Sequence, residues 1–171
     1  TGRAIWRYQR SLPGKLRACC GTVNRGFAIL GDRLFMTTLD AHVVALDTRS
    51  GQVIWDVEAA DYRRGYAMTG APLAVKNLII VGSAGGEYGA RGFIDAYDAA
   101  TGKRVWRFDT VPAPGQPGSD TWPAEAWKVG GAPAWITGSY DPELNTLYWP
   151  TGNPSPATYG GSRKGDNLYS N

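Results

Sequence analysis

The pattern [Thr/Ser]-Gly-x-x-[Ile/Val]-Trp occurs three times in this chain, at Thr1–Trp6, Ser50–Trp55 and Thr101–Trp106, with a period of about fifty residues. In the second and third copies an Asp precedes the Gly by four positions, in Ala-Leu-Asp-Thr-Arg-Ser-Gly (45–51) and Ala-Tyr-Asp-Ala-Ala-Thr-Gly (96–102). Each unit reads as strand, tight turn, strand. The Asp and the Ser or Thr bond backbone groups of the turn, Gly supplies its unusual dihedral, and the next strand carries a large apolar anchor. Short β-rich runs lie between the turns at 33–38, 42–46, 77–81, 92–97 and 145–149. Gly, Pro, Asn and Asp separate them, and no stretch keeps a long helical period. A repeat near fifty residues with several short strands per unit predicts a β-propeller, with a β-sandwich as the competing all-β arrangement.

The strand starts at Arg33, Asn77 and Asn145 stand 44 and then 68 residues apart, so one connection has grown. The surplus falls at about 107–130, where Pro112, Pro114, Gly115, Pro117 and Gly118 precede Trp122 and Trp127. Such a segment either folds over a propeller face or stays mobile. Because the first repeat begins at Thr1-Gly2 and the last residues complete no further copy, the expectation is one partial propeller domain over 1–171. It would hold about three to four blades and be truncated at both ends. A missing leader then says nothing about export.

The net charge of +3 is spread thinly, with no basic run longer than Arg63-Arg64, and this gives no support to a nucleic-acid surface. No apolar run has membrane-spanning length. Haem attachment through Cys-x-x-Cys-His has no counterpart here, and His42 reads as a strand residue.

The chemistry-bearing residues are few. Cys19 and Cys20 are adjacent and are the only cysteines, so an intramolecular disulfide must join neighbours whose Cα atoms lie about 3.8 Å apart. The alternative is a pair of small apolar side chains on opposite faces of a strand. Val81-Gly-Ser-Ala-Gly-Gly-Glu-Tyr-Gly-Ala-Arg-Gly92 runs from a strand into glycines. A dinucleotide loop would need a helix next, and Phe93-Ile-Asp-Ala-Tyr-Asp is a strand instead. Glycines this dense let a planar ligand approach the backbone, and Glu87 sets one carboxylate among them, either as a ligand or as a solvated loop acid. Asn153, in Thr-Gly-Asn-Pro-Ser-Pro, is a turn residue whose amide oxygen also suits a hard cation. With Pro after it, it is no glycosylation acceptor.

Taken together, several motifs resemble the methanol/ethanol family of quinoprotein alcohol dehydrogenases. They are the vicinal pair with Thr-Val-Asn-Arg25, Gly-Gly-Glu-x-Gly-x-Arg-Gly92, Glu125-Ala-Trp-Lys-x-Gly-Gly131, Tyr140-Asp-Pro-Glu-Leu-Asn145, Thr-Gly-Asn-Pro-Ser-Pro156 and the tryptophan-docking repeats. The resemblance implies an eight-bladed, periplasmic propeller that binds pyrroloquinoline quinone. It implies a Cys19–Cys20 disulfide and Trp135 as the two walls of the quinone site. Arg25 and Thr69 would bind the cofactor's carboxylates and quinone oxygens, and Ala84, Gly85 and Gly86 would line its edge. Glu87 and Asn153 match the ligands of calcium or a lanthanide.

The implied activity is oxidation of a primary alcohol to an aldehyde, with electrons passed to a cytochrome c. The expected catalytic Asp lies beyond Asn171, so no residue of the segment takes that role. Ala84 replaces a Ser and Pro133 a Thr of several relatives, which removes two hydroxyls from the quinone's surroundings. Two rivals remain at this point. One is a non-catalytic periplasmic propeller scaffold for protein–protein contacts, which needs the repeats but not Cys19-Cys20, Arg25, Glu87 or Asn153. The other is a quinoprotein dehydrogenase for sugars or polyols.

Overall fold

The structure is a computed structural model and describes residues 2–170; Thr1, where the first repeat begins, and Asn171 lie outside the described residues. Two four-stranded antiparallel sheets and one hairpin account for its strands. The first sheet is β1 (Ala28–Leu30), β2 (Arg33–Thr37), β3 (His42–Asp47) and β4 (Val53–Glu58), in that spatial order. The second repeats it with β5 (Leu73–Val75), β6 (Leu78–Gly82), β7 (Phe93–Asp98) and β8 (Arg104–Asp109). The hairpin pairs β9 (Ser139–Asp141) with β10 (Thr146–Tyr148). Sheets built by successive neighbouring strands are propeller blades, not the two facing layers of a sandwich.

The repeat motif explains how the blades join. In the β3–β4 turn Asp47 Oδ1 accepts from the N–H of Arg49 and Ser50 at 3.0 and 2.7 Å and from Ser50 Oγ at 2.7 Å. In the β7–β8 turn Asp98 Oδ1 accepts from Ala100 N, Thr101 N and Thr101 Oγ1 at 3.1, 2.9 and 2.8 Å. Each ladder shifts register one step before its turn, between Ala45 and Leu46 and between Ala96 and Tyr97. Trp55 crosses from the first blade to the second, where its Nε1 donates to Ala99 O at 3.2 Å and its ring lies on Gly102. Trp6 stands in the same relation to the first blade, donating to Thr48 O at 2.8 Å and lying on Gly51. The described residues therefore hold two complete blades and one further hairpin, with no strand among residues 2–27.

Core side chains fill the spaces between blades. Phe35, Val43 and Ala45 of the first blade meet Ile79, Val81, Phe93 and Tyr97 of the second, with Met68 between. The opposite face of the second blade offers Ile80, Ile94 and Ala96 to Ala134, Leu147 and Trp149. Successive residues of β6 thus point to two different interfaces, as the two-residue strand period requires.

The long connection starts later than 107, because Val105-Trp-Arg-Phe continues the ladder and β8 reaches Asp109. The rest is ordered by packing. Trp122 is buried with Val111 and Ala132, and its Nε1 donates to Leu168 O at 3.0 Å. Asn167 N and Leu168 N bond Thr121 O and Oγ1 at 3.0 and 2.9 Å, tying the insertion to the last residues of the chain.

Candidate functional site

Four connections converge at one end of the two blades. They are the segment before β1, the β4–β5 link, the β6–β7 loop and the link leading to β9. They border one space open to solvent, lined by Ala18, Cys19, Cys20, Arg25, Ala67, Thr69, Ala84, Gly85, Glu87, Pro133 and Trp135.

The segment before β1 supplies the sulfur wall. Cys19 and Cys20 are joined in a disulfide with Cα atoms 3.8 Å apart. The pair occupies a turn, and the alternative of two strand residues facing opposite ways is corrected. Cys20 and Gly21 take φ of +70° and +88°, which no strand accommodates. The chain then returns to the second blade, and Arg25 N donates to Thr69 O at 3.1 Å. A second bond, from Arg25 Nη1 at 3.3 Å, reaches the same carbonyl. These two bonds place the guanidinium 4.7 Å from the centroid of the Trp135 ring.

The β6–β7 loop supplies the acid. Ala84 pairs with Ala67 through an isolated bridge, with Ala84 N to Ala67 O at 2.8 Å. Gly85 then takes φ +106°, packed so tightly that a Cβ there would collide with the carbonyl of Gly65. Gly86–Tyr88 form one 3-10 turn that carries Glu87, exposed at the cavity rim.

The third wall arises from strand-like pairing between 130–135 and 152–155. Ala132 N donates to Asn153 O at 2.9 Å, Gly152 N to Pro133 O at 2.7 Å and Ser155 N to Gly130 O at 2.7 Å. Thr110 Oγ1, fully buried, fixes the same segment through Ala132 O at 2.6 Å. Trp135 is half-buried at the end of this segment, with one face toward the cavity.

Of the residues that the sequence singles out, Cys19, Cys20, Arg25, Thr69, Ala84, Gly85, Glu87 and Trp135 all line this one space. Gly86 is buried directly behind it against Pro133, and Asn153 is exposed beside it, held by its own carbonyl. Ala18, Ala67 and Pro133 complete the lining; only Pro133 had drawn notice in the sequence, as a departure. Ala18 and Ala67 are small residues in unremarkable runs and carry no sequence signal. Among the described residues no cluster of three or more His, Cys, Asp or Glu side chains is present. A cation at Glu87 would therefore take further ligands from amide or carbonyl oxygens, or from a bound molecule.

The lining thus brings together a disulfide, an indole with a guanidinium over its ring, and one carboxylate at the rim. The chain belongs to the family described as the β-propeller domain of glucose/ethanol/alcohol dehydrogenases that use PQQ, whose model matches residues 1–171. It is similar to a quinohemoprotein alcohol dehydrogenase, ADH IIB, of Pseudomonas putida, at 44% identity over 99% of this chain and 27% of that protein. It is also similar to a lanthanide-dependent methanol dehydrogenase of Methylacidiphilum fumariolicum strain SolV, at 41% identity over 90% of this chain and 28% of that protein. Among solved structures, a europium-containing methanol dehydrogenase superposes with a TM-score of 0.88 at 39% identity, covering 96% of this chain and 32% of that one. The chain thus spans less than a third of the length of these relatives.

Proposed function

We propose that residues 1–171 are part of the propeller domain of a pyrroloquinoline quinone-dependent alcohol dehydrogenase. The observation that carries this reading is the convergence of Cys19–Cys20, Arg25, Thr69, Glu87 and Trp135, drawn from four separate connections, on one cavity. A repeat-built scaffold has no need of that convergence.

The residues present fit the cofactor on physical grounds. The disulfide and the Trp135 ring offer two walls to a tricyclic aromatic, and Gly85, where a Cβ would collide with the Gly65 carbonyl, holds the β6–β7 loop tight against the β4–β5 link at the cavity's edge. Arg25, held by the Thr69 carbonyl, presents its charge to a ligand carboxylate in a charge-assisted bond. Thr69 adds a hydroxyl at the same edge. Glu87 supplies the anionic ligand for calcium or a lanthanide, and Asn153 a neutral oxygen beside it. When bound, the quinone supplies the carbonyl that accepts hydride from an alcohol carbon, with the cation polarising it as a Lewis acid.

The segment's part in catalysis is to bind, orient and shield; we assign the general base to an Asp outside residues 1–171. The substrate class is a primary alcohol and the product an aldehyde. The electron acceptor is a cytochrome c-type protein, and the location is the periplasm. No helix among the described residues is long and apolar enough to cross a membrane.

The test is reconstitution of the full-length protein with pyrroloquinoline quinone and either calcium or a lanthanide. Dye-linked oxidation of short primary alcohols should appear only when both quinone and cation are supplied. Failure to retain the quinone under any cation would return the protein to the scaffold class, and oxidation restricted to sugars or polyols would move it to the other rival.

A further inference from the structure

Pro133 is buried between the 3-10 turn that carries Glu87 and the paired segment that carries Asn153, and it belongs to neither. On one side a Cβ built on Gly86, next to Glu87, would fall 2.7 Å from Pro133 Cδ and 2.9 Å from Cγ. On the other side a Cβ on Gly152, next to Asn153, would fall 3.2 Å from Pro133 Cγ. The Pro133 carbonyl also accepts from Gly152 N at 2.7 Å, so the ring and the backbone bind the same neighbour. The buried pyrrolidine therefore fills the gap between the Glu87 turn and the Asn153 segment, and each presents a glycine at the contact.

We propose that Pro133 is a positioning residue that sets the spacing of Glu87 and Asn153, and with it the tightness of cation retention; this rests on the metal-site reading above. A proline serves here because its ring is stiff and its φ fixed, so the spacer neither compresses nor rotates. Close packing on both sides transmits any change of its volume directly to the Glu87 turn and the Asn153 segment. Pro133→Ala opens the gap. Gly86→Ala overfills it from the opposite side, at a glycine whose backbone is not in the left-handed region and so accepts alanine. The double variant restores the filled volume with the methyl on the other partner.

The experiment measures the dissociation constants of calcium and lanthanum for the quinone-loaded full-length protein by titration calorimetry. Melting temperatures of the metal-free forms are taken in parallel. Each single variant should weaken binding about tenfold or more, the size of effect that residues supporting a metal ligand generally have. The double variant should recover most of that loss while metal-free melting stays comparable across the set. Additive losses in the double variant, or unchanged affinities in both single variants, overturn the proposal. Glu87→Gln and Asn153→Ala run beside them. If these bind metal normally, the metal-site reading itself has failed; if they lose metal and the Pro133 variants do not, only the spacer role has failed.

Discussion

The guanidinium of Arg25 lies 4.7 Å from the centroid of the Trp135 ring, although 110 residues separate the two and no strand connects them. The link is the Thr69 carbonyl, which accepts from both the backbone and the side chain of Arg25. A cation held over an indole face is already oriented, so a carboxylate arriving there meets a prepared partner. Arg25→Met keeps the packing and removes the charge. Loss of a charge-assisted bond of about 1.5–3 kcal/mol should raise the quinone dissociation constant roughly ten- to a hundredfold. Equilibrium dialysis of the full-length variant checks this, and the melting temperature without quinone should move little.

Gly102 and Gly31 separate two costs that a single glycine substitution usually mixes. Both have positive φ, +71° and +63°, but a Cβ on Gly102 would sit 2.8 Å from the Trp55 ring, whereas nothing lies within 4 Å of one on Gly31. Gly31→Ala should cost about 1–2 kcal/mol for the left-handed backbone alone. Gly102→Ala should cost about 1–3 kcal/mol more, because the indole must leave its seat between blades. Denaturant unfolding of the two full-length variants gives the difference. Equal losses would mean that tryptophan docking contributes nothing at this turn.

The docking turns also carry a pH signature. Hydrogen bonds from Ser50 to Asp47 and from Thr101 to Asp98 hold both carboxyls below their usual range. A folded-state value below the unfolded one stabilises the protein above the unfolded value of about 3.9, and that contribution fades as pH falls through the folded value. Melting temperature should therefore decline from about pH 5 downward. In the double variant Asp47→Asn, Asp98→Asn the decline should be shallower, since the amides cannot take up the proton. Some slope should remain from Asp40, whose carboxyl burial would raise but which bonds from Arg10 and Thr38 hold down. A decline as steep as in the unsubstituted protein would remove these turns from the acid response.

What the sequence made legible was whatever is local and repeated. The Asp-to-Ser and Asp-to-Thr bonds span three residues, and the Trp anchor stands four positions past its Gly, so blade turns announce themselves in a single stretch. The strands β1, β5 and β9 were not anticipated, because each has only three residues and too few alternations to show a period. Site residues were legible only as separate motifs. Their union depends on pairings such as Ala84 with Ala67 and Ala132 with Asn153, between residues whose side chains give no hint of it. Pro133 shows the limit most clearly, since as a residue type it reads only as a lost hydroxyl, and its place between Gly86 and Gly152 exists in three dimensions alone.

Beneath the site, Asp95 is completely buried and takes a two-pronged bond from Arg107, Nε to Oδ1 at 2.7 Å and Nη2 to Oδ2 at 2.6 Å. Tyr97 donates to Asp95 Oδ2 at 2.8 Å, and burial together with that charge pushes the phenol's ionisation upward. Arg107 also reaches back to Ala59 O of the first blade at 2.9 Å, so the pair clamps two blades. Arg107→Met leaves the buried carboxylate with only Arg104, whose Nη1 stands 4.0 Å from Asp95 Oδ2, and should cost about 3–5 kcal/mol. Asp95→Asn with Arg107→Met, which removes both charges, should recover a large part of that. Chemical unfolding of the single and double variants checks it, and a double variant as unstable as the single would rule out the buried charge as the cause.

Glu87 is the point at which enzyme and scaffold readings give opposite answers. Its carboxylate stands at the cavity rim on a single 3-10 turn, backed by Gly86 and Pro133, and it is the cavity lining's one acidic side chain. Glu87→Gln preserves shape and removes the charge. If the carboxylate holds the cation, the variant should lose metal on dialysis. Its dye-linked turnover should fall about a thousandfold, corresponding to roughly 4 kcal/mol of lost transition-state stabilisation. An exposed loop glutamate without that role would change stability by no more than about half a kcal/mol and leave turnover alone. Turnover, metal content and thermal melting are measured together on the full-length protein loaded with quinone and either calcium or a lanthanide. A fall in turnover and metal content with an unchanged metal-free melt places the cation at Glu87. Near-normal turnover with normal metal content removes Glu87 from the site and leaves the cavity without an anionic anchor for a cation.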